Sequence, residues 1–196
     1  MKIKLCGLFR PEDASAANAA MPDYVGFVFA QSSRRYVTPE QAKALRAAIQ
    51  PYIAAVGVFV DAQMADIAAL VHSDTIQAVQ LHGGEDAGYI TRLRVLLPDG
   101  VPIIRAIRMN EGQTADAVGA DMLLLDSGAG SGTAFDWTYI PPIPVPWLLA
   151  GGITPENARD AMRTGAWGLD VSGGIETNGV KDSKKMRDIV RIVRGV

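Results

Sequence analysis

The sequence predicts a closed (β/α)8 TIM barrel of eight parallel strands, on three observations. Eight short apolar runs rich in β-formers recur along the chain, and helical patterns lie between them. The 196 residues divide into units of about 24, close to the smallest that holds a strand, a helix and two short loops. Strands alternating with helices call for a parallel sheet with right-handed crossovers, and eight such units close on themselves instead of leaving two edges. An open doubly wound sheet uses the same alternation but usually has five or six strands.

The apolar runs are 3–6, 24–29, 54–60, 78–81, 103–107, 122–126, 147–150 and 168–171. The last three open into Asp, Gly or Ser, as a strand entering a loop does. Helix starts are read from Thr38-Pro39-Glu40, ahead of an Ala-rich stretch, and from Thr154-Pro155-Glu156, ahead of 157–164. The fifth and sixth helices are the weakest: 111–118 is short and 134–147 holds four prolines, so one late helix is expected to be short or degenerate. With 48% hydrophobic residues the chain can bury one substantial core and is short for two, so 1–196 is read as a single catalytic barrel domain.

Composition excludes several roles. The net charge is −2 and both signs are dispersed, so no nucleic-acid partner is expected. A single cysteine can form neither an internal disulfide nor a thiolate metal site, which favours a reducing compartment. Arg10, Pro11, Glu12 and Asp13 interrupt the N-terminal apolar stretch too early for a signal peptide, so a cytoplasmic location is expected. No uncharged segment approaches the roughly 20 apolar residues that cross a bilayer, so no membrane partner is expected. Monomer and homodimer are both compatible with the sequence.

In a closed barrel the chemistry gathers where the strands end. The first strand ends in Lys4-Leu5-Cys6-Gly7, where Cys6 is either a reactive thiol at the mouth or a packed core residue. The sixth ends in Leu125-Asp126-Ser127-Gly128, where Asp126 is either a mouth carboxylate or a loop cap. A cysteine and an aspartate on nonadjacent strands can bracket a small substrate, as general acid–base catalysis requires.

Glycine-rich stretches follow three successive late strands: 128–133, then Gly151-Gly152, then Ser172-Gly173-Gly174. Their backbone N–H groups can converge on phosphate, which places Gly130, Ser131, Gly132, Gly151, Gly152, Ser172, Gly173 and Gly174 as candidate phosphate ligands and implies a phosphorylated substrate. After the second strand, Arg35 is a candidate bidentate grip on a substrate carboxylate, or else a solvated charge. Alternation along Val79-Gln80-Leu81-His82 points Gln80 and His82 to one side as candidate substrate contacts, with His82 equally readable as a structural histidine.

Taken in order, Lys4-Leu5-Cys6-Gly7, Ser33-Arg34-Arg35-Tyr36-Val37, Val79-Gln80-Leu81-His82-Gly83 and Leu123-Leu124-Leu125-Asp126-Ser127 resemble the phosphoribosylanthranilate isomerase family of tryptophan biosynthesis. Phe135-Asp136-Trp137, the stretch 149–157, Leu169-Asp170-Val171-Ser172, and Glu176 with Gly179, Lys181 and Asp182 continue the series over nearly the whole chain. The resemblance implies an Amadori rearrangement without a cofactor: Asp126 protonates the ribose ring oxygen and Cys6 removes the proton from the sugar's C2. It further implies that the substrate is a phosphosugar, of which Arg35 holds the anthranilate end and the glycine loops the phosphate. The equivalent isomerase of histidine biosynthesis is similar but has aspartates in both catalytic positions, and Cys6 argues against it. Ser131 and Gly173 depart from the family's usual loop residues, which bears on the phosphate contacts and leaves the catalytic pair unchanged. A base near neutral pH calls for a lowered thiol pKa, for which converging N–H groups are one source of help.

Overall fold

The structure, a computed structural model, describes residues 1–109, 115–126, 137 and 140–195. Its centre is a closed barrel in which β1 (Lys2–Cys6), β2 (Tyr24–Val28), β3 (Ala54–Phe59), β4 (Ala78–Leu81), β5 (Ile103–Arg108), β6 (Met122–Asp126), β7 (Trp147–Ala150) and β8 (Gly168–Val171) pair in sequence order. All eight pairings are parallel, and β8 closes on β1 with Lys4 opposite Asp170 and Leu5 opposite Val171. The predicted runs and these strands coincide to within a residue at every end.

Alternation sorts each strand's residues between two cores. Ile3, Leu5, Val25, Phe27, Val79, Leu81, Leu123, Leu125, Leu149, Leu169 and Val171 point outward and merge with the helix faces into one apolar layer. Val56, Ala78, Ile104, Leu124, Leu148 and Ala150 form a separate cluster, the filling of the barrel itself. Several inward positions near the strand ends are not filled by aliphatic side chains. They carry Lys4, Cys6, Gln80, Asp126 and Asp170, so the filling turns polar toward the rim where the chain leaves each strand.

Among the described residues six α-helices follow the strands: α1 (Pro11–Ala20), α2 (Pro39–Ala48), α3 (Met64–His72), α4 (Ala87–Leu96), α5 (Ala158–Met162) and α6 (Ser183–Arg194). Thr38 starts α2 as expected: its hydroxyl accepts from the Gln41 N–H at 3.2 Å, and the Gln41 side chain accepts from the Thr38 N–H at 2.9 Å. The large residues of α6 that reach the core, Met186, Ile189, Val190 and Val193, recur at helical spacing on one face.

The helix expected from Thr154-Pro155-Glu156 begins later and is shorter. Asn157 accepts from the Thr154 N–H at 2.8 Å and donates to the Gly152 carbonyl at 2.9 Å, which holds 154–157 as a turn and delays α5 to Ala158. No helix is described between β5 and β7. Residues 115–121 are irregular with a turn at Val118 and Gly119, and 140–146, which carries the four prolines, runs without regular structure. The remainder of those two stretches lies outside the described residues. No helix of the described residues is long and apolar enough to cross a membrane.

Candidate active site

The rim is best built from the β1–β8 seam, where alternation brings Lys4 and Cys6 inside together. Lys4 is fully buried, and its Nζ lies 3.0 Å from Asp170 Oδ1, its register neighbour on β8. Burial pulls the Lys4 ammonium down, but Asp170 and Cys6 outweigh it and hold its pKa above the ordinary lysine value.

Cys6 follows with 7% of its surface exposed, beside Gly26 on β2. A Cβ on Gly26 would stand 2.6 Å from the Cys6 sulfur, so this position is glycine because the thiol occupies the space. Burial pushes the Cys6 thiol up. The Lys4 charge and hydrogen bond and the Lys181 charge pull it down, Asp170 pushes it up, and burial prevails. The sequence reading calls for a lowered thiol, whereas burial here outweighs the two lysines that oppose it.

Past β8 the chain makes a 3-10 turn, Gly173–Ile175, and then a two-stranded ribbon, β9 (Glu176–Thr177) and β10 (Val180–Lys181). The Ser172 hydroxyl donates to the Cys6 carbonyl at 3.1 Å, tying the turn to the end of β1. Gly174 lies so close to the Ile153 and Thr154 backbone that no side chain fits, so the loops after β7 and β8 abut. Gly151 and Gly152 begin the first of these loops, both in the left-handed region. Gly130, Ser131 and Gly132, with Phe135 and Asp136, lie outside the described residues.

The ribbon carries the densest charge cluster of the rim. The buried Glu176 carboxylate accepts from Lys181 Nζ at 2.8 Å, from Arg35 Nε at 2.6 Å and Nη2 at 3.0 Å, and from Arg34. Lys181 Nζ also donates to the Ser172 carbonyl at 3.0 Å. Burial alone would raise the Glu176 carboxyl, but the hydrogen bonds and charges of Arg35 and Lys181 hold it below the usual glutamate range. Arg35 is thus not a solvated loop charge: one edge of its guanidinium is locked on an internal carboxylate.

Across the rim, Gln80 and His82 share the inward side of β4 as alternation predicts. Gln80 Nε2 lies 3.0 Å from His82 Nδ1, and His82 Nε2 lies 3.3 Å from Asp126 Oδ2 at the end of β6. With Gln80 donating to Nδ1, a neutral ring carries its proton on Nε2, the nitrogen facing Asp126. Gln80 Oε1 is buried with no partner among the described residues. Glu85 anchors the loop that follows, accepting from the Asp61 N–H at 2.8 Å and the Gly83 N–H at 2.7 Å.

The sequence reading passed over Lys4, Asp170 and Gly26 as site residues and took Glu176 and Lys181 only as parts of a motif. The signal was present: a charged residue inside an otherwise apolar strand of a closed barrel, at an inward position by alternation, is costly unless paired. Among the described residues no cluster of His, Cys, Asp and Glu has the arrangement to hold a metal ion.

Comparison with known proteins covers nearly the whole chain. The family model described as N-(5'phosphoribosyl)anthranilate (PRA) isomerase matches residues 3–192. The N-(5'-phosphoribosyl)anthranilate isomerase of Endomicrobium trichonymphae is 40% identical over 201 residues, covering 100% of this chain and 99% of the relative. The crystal structure of phosphoribosyl anthranilate isomerase from Thermus thermophilus superposes with a TM-score of 0.88 at 32% identity, covering 100% of this chain and 99% of that one. A phosphoribosyl anthranilate isomerase in complex with reduced 1-(o-carboxyphenylamino)-1-deoxyribulose 5-phosphate matches with a TM-score of 0.81 at 27% identity, over 100% of both chains. The chain belongs to the N-(5'-phosphoribosyl)anthranilate isomerase family.

Proposed function

We propose that this chain, as a single catalytic domain in the cytoplasm, converts N-(5-phosphoribosyl)anthranilate to 1-(2-carboxyphenylamino)-1-deoxyribulose 5-phosphate, with Cys6 as general base and Asp126 as general acid. The observation that carries the assignment of roles is the placing of a thiol flanked by lysines and a carboxylate faced by an imidazole at the ends of nonadjacent strands of one barrel.

Asp126 passes its proton to the ribose ring oxygen as the C1–O bond breaks, leaving a Schiff base. The Cys6 thiolate then takes the proton from C2, and the resulting enolamine tautomerises to the ketose. Thiolate with carboxylic acid holds as many protons as thiol with carboxylate, so the productive form needs no net proton from solvent. The phosphate and carboxylate that arrive with the substrate add negative charge, which favours the protonated acid.

Gly151, Gly152, Ser172, Gly173 and Gly174 receive the phosphate where the loops after β7 and β8 abut, with Gly130, Ser131 and Gly132 completing the cradle. Arg35, steadied by Glu176, presents its remaining guanidinium edge to the anthranilate carboxylate. Gln80 Oε1, buried and without a partner among the described residues, suits a substrate hydroxyl, while His82 orients Asp126.

The test is turnover of freshly generated phosphoribosylanthranilate, followed by loss of anthranilate-type fluorescence. Cys6→Ala and Asp126→Asn are each expected to lower kcat by about 10²–10⁴ with the fold intact. A folded parent without activity, or both variants at full activity, overturns the assignment and leaves a phosphate-binding barrel.

A further inference from the structure

Lys4 has no explanation in stability alone. It is buried completely beside an apolar filling, and a buried ion pair of this kind is commonly no better for stability than well-packed apolar residues of similar volume. What distinguishes its place is its neighbour two residues on: Lys4 and Cys6 share the inward side of β1 by alternation, and Lys4, hydrogen-bonded to Asp170 at 3.0 Å, is a charge that acts on the Cys6 thiol. We propose, resting on the reading of Cys6 as the base, that Lys4 is a positioning residue which serves as counter-ion to the Cys6 thiolate, and that Asp170 sets how much of the Lys4 charge the sulfur receives.

The groups around the sulfur make the arrangement specific. β1 contributes Lys4, β8 contributes Asp170, and β10 contributes Lys181, behind which stand Glu176 and Arg35. From β2 the register neighbour is Gly26, which brings no charge and leaves room for the sulfur. Lys181 is already committed to Glu176 and the Ser172 carbonyl, whereas Lys4 has Asp170 as its one ion-pair partner among the described residues. When the thiol ionises, Lys4 is the cation placed to turn toward it, and weakening Asp170 strengthens that turn. An opposite charge within about 4–6 Å moves an ionisation by about one to three units.

The chain has one cysteine, so the ultraviolet absorbance of the thiolate against pH, taken as the difference from Cys6→Ala to remove the tyrosine contribution, reports Cys6. Relative to the parent, Lys4→Met is expected to move the titration midpoint up by about one unit or more, and Asp170→Asn to move it down. The double variant Lys4→Met with Asp170→Asn removes both charges together, keeps the interior neutral if the single Lys4 variant fails to fold, and is expected to titrate above the parent. The rising limb of kcat against pH should follow the same order. A purely structural pair would leave the midpoints where the parent has them, and that result, or a double variant titrating at the parent's value, overturns the proposal. The titration needs no turnover: an active parent whose thiol ignores Lys4 defeats this proposal and spares the base assignment. Full activity in Cys6→Ala defeats the base assignment whatever the titration shows.

Discussion

The two sides of the rim are built on different physical terms. The β1–β8 side is dry and charged: Lys4, Asp170, Glu176 and Lys181 are buried, each carboxylate has a cation, and Arg35 and Arg34 lock onto the same cluster. The β4–β6 side is open. His82 and Asp126 keep 36% and 26% of their side chains exposed, and the His82–Asp126 approach of 3.3 Å is looser than the ion pairs opposite. On the proposed roles, a base that must ionise against burial needs fixed counter-charges. A proton donor that meets its substrate at the mouth needs access and one neighbour to aim it. The first side therefore surrounds its thiol with fixed charge, and the second leaves its carboxylate open to the mouth.

The sharpest break of this contrast is Glu176→Ala. Removing the shared carboxylate leaves Lys181 buried and uncompensated, and a loss of about 3–5 kcal/mol in urea unfolding is expected, with a raised KM from an unanchored Arg35. A loss no larger than that of an exposed pair would show the two sides to be alike. Gly26→Ala comes next. Its Cβ would press on the Cys6 sulfur, so about 1–3 kcal/mol of overpacking and a fall in turnover are expected together. His82→Ala tests the open side: kcat should fall about tenfold, about 1.4 kcal/mol, with the unfolding midpoint little changed.

The smallest effect concerns acid. The Glu176 carboxyl is held below its ordinary value, so as pH falls the unfolded chain takes up this proton before the folded one does. The stability it contributes is complete above the unfolded value of about 4.3 and is lost as pH falls through the lower folded value. Urea midpoints measured down this limb should fall less steeply in Glu176→Gln than in the parent.

Much of this was legible in the order of residues. A period-2 alternation within each apolar run, and a glycine, serine or aspartate where it stops, were enough for the barrel. Lys4, Cys6, Gln80 and Asp170 all lie inside it by the same alternation. Cys6 and Asp126 stood out because reactive side chains close their strands. The start of α5 was misplaced because the Asn157 side chain, reaching back to Gly152 and forward to the Thr154 N–H, competes with the helix for the same backbone groups.

The sequence by itself determined the strands, their inward and outward faces and the family, because these follow from local periodicity and from motifs in fixed order. Only the tertiary structure decided that Lys4 meets Asp170 across 166 residues, that Arg35 meets Glu176 across 141, and that Gly26 clears space for the sulfur. Barrel closure and register set those encounters. Whether a buried charge is a cost or a tool depends on which partner closure delivers, and no local pattern carries that information.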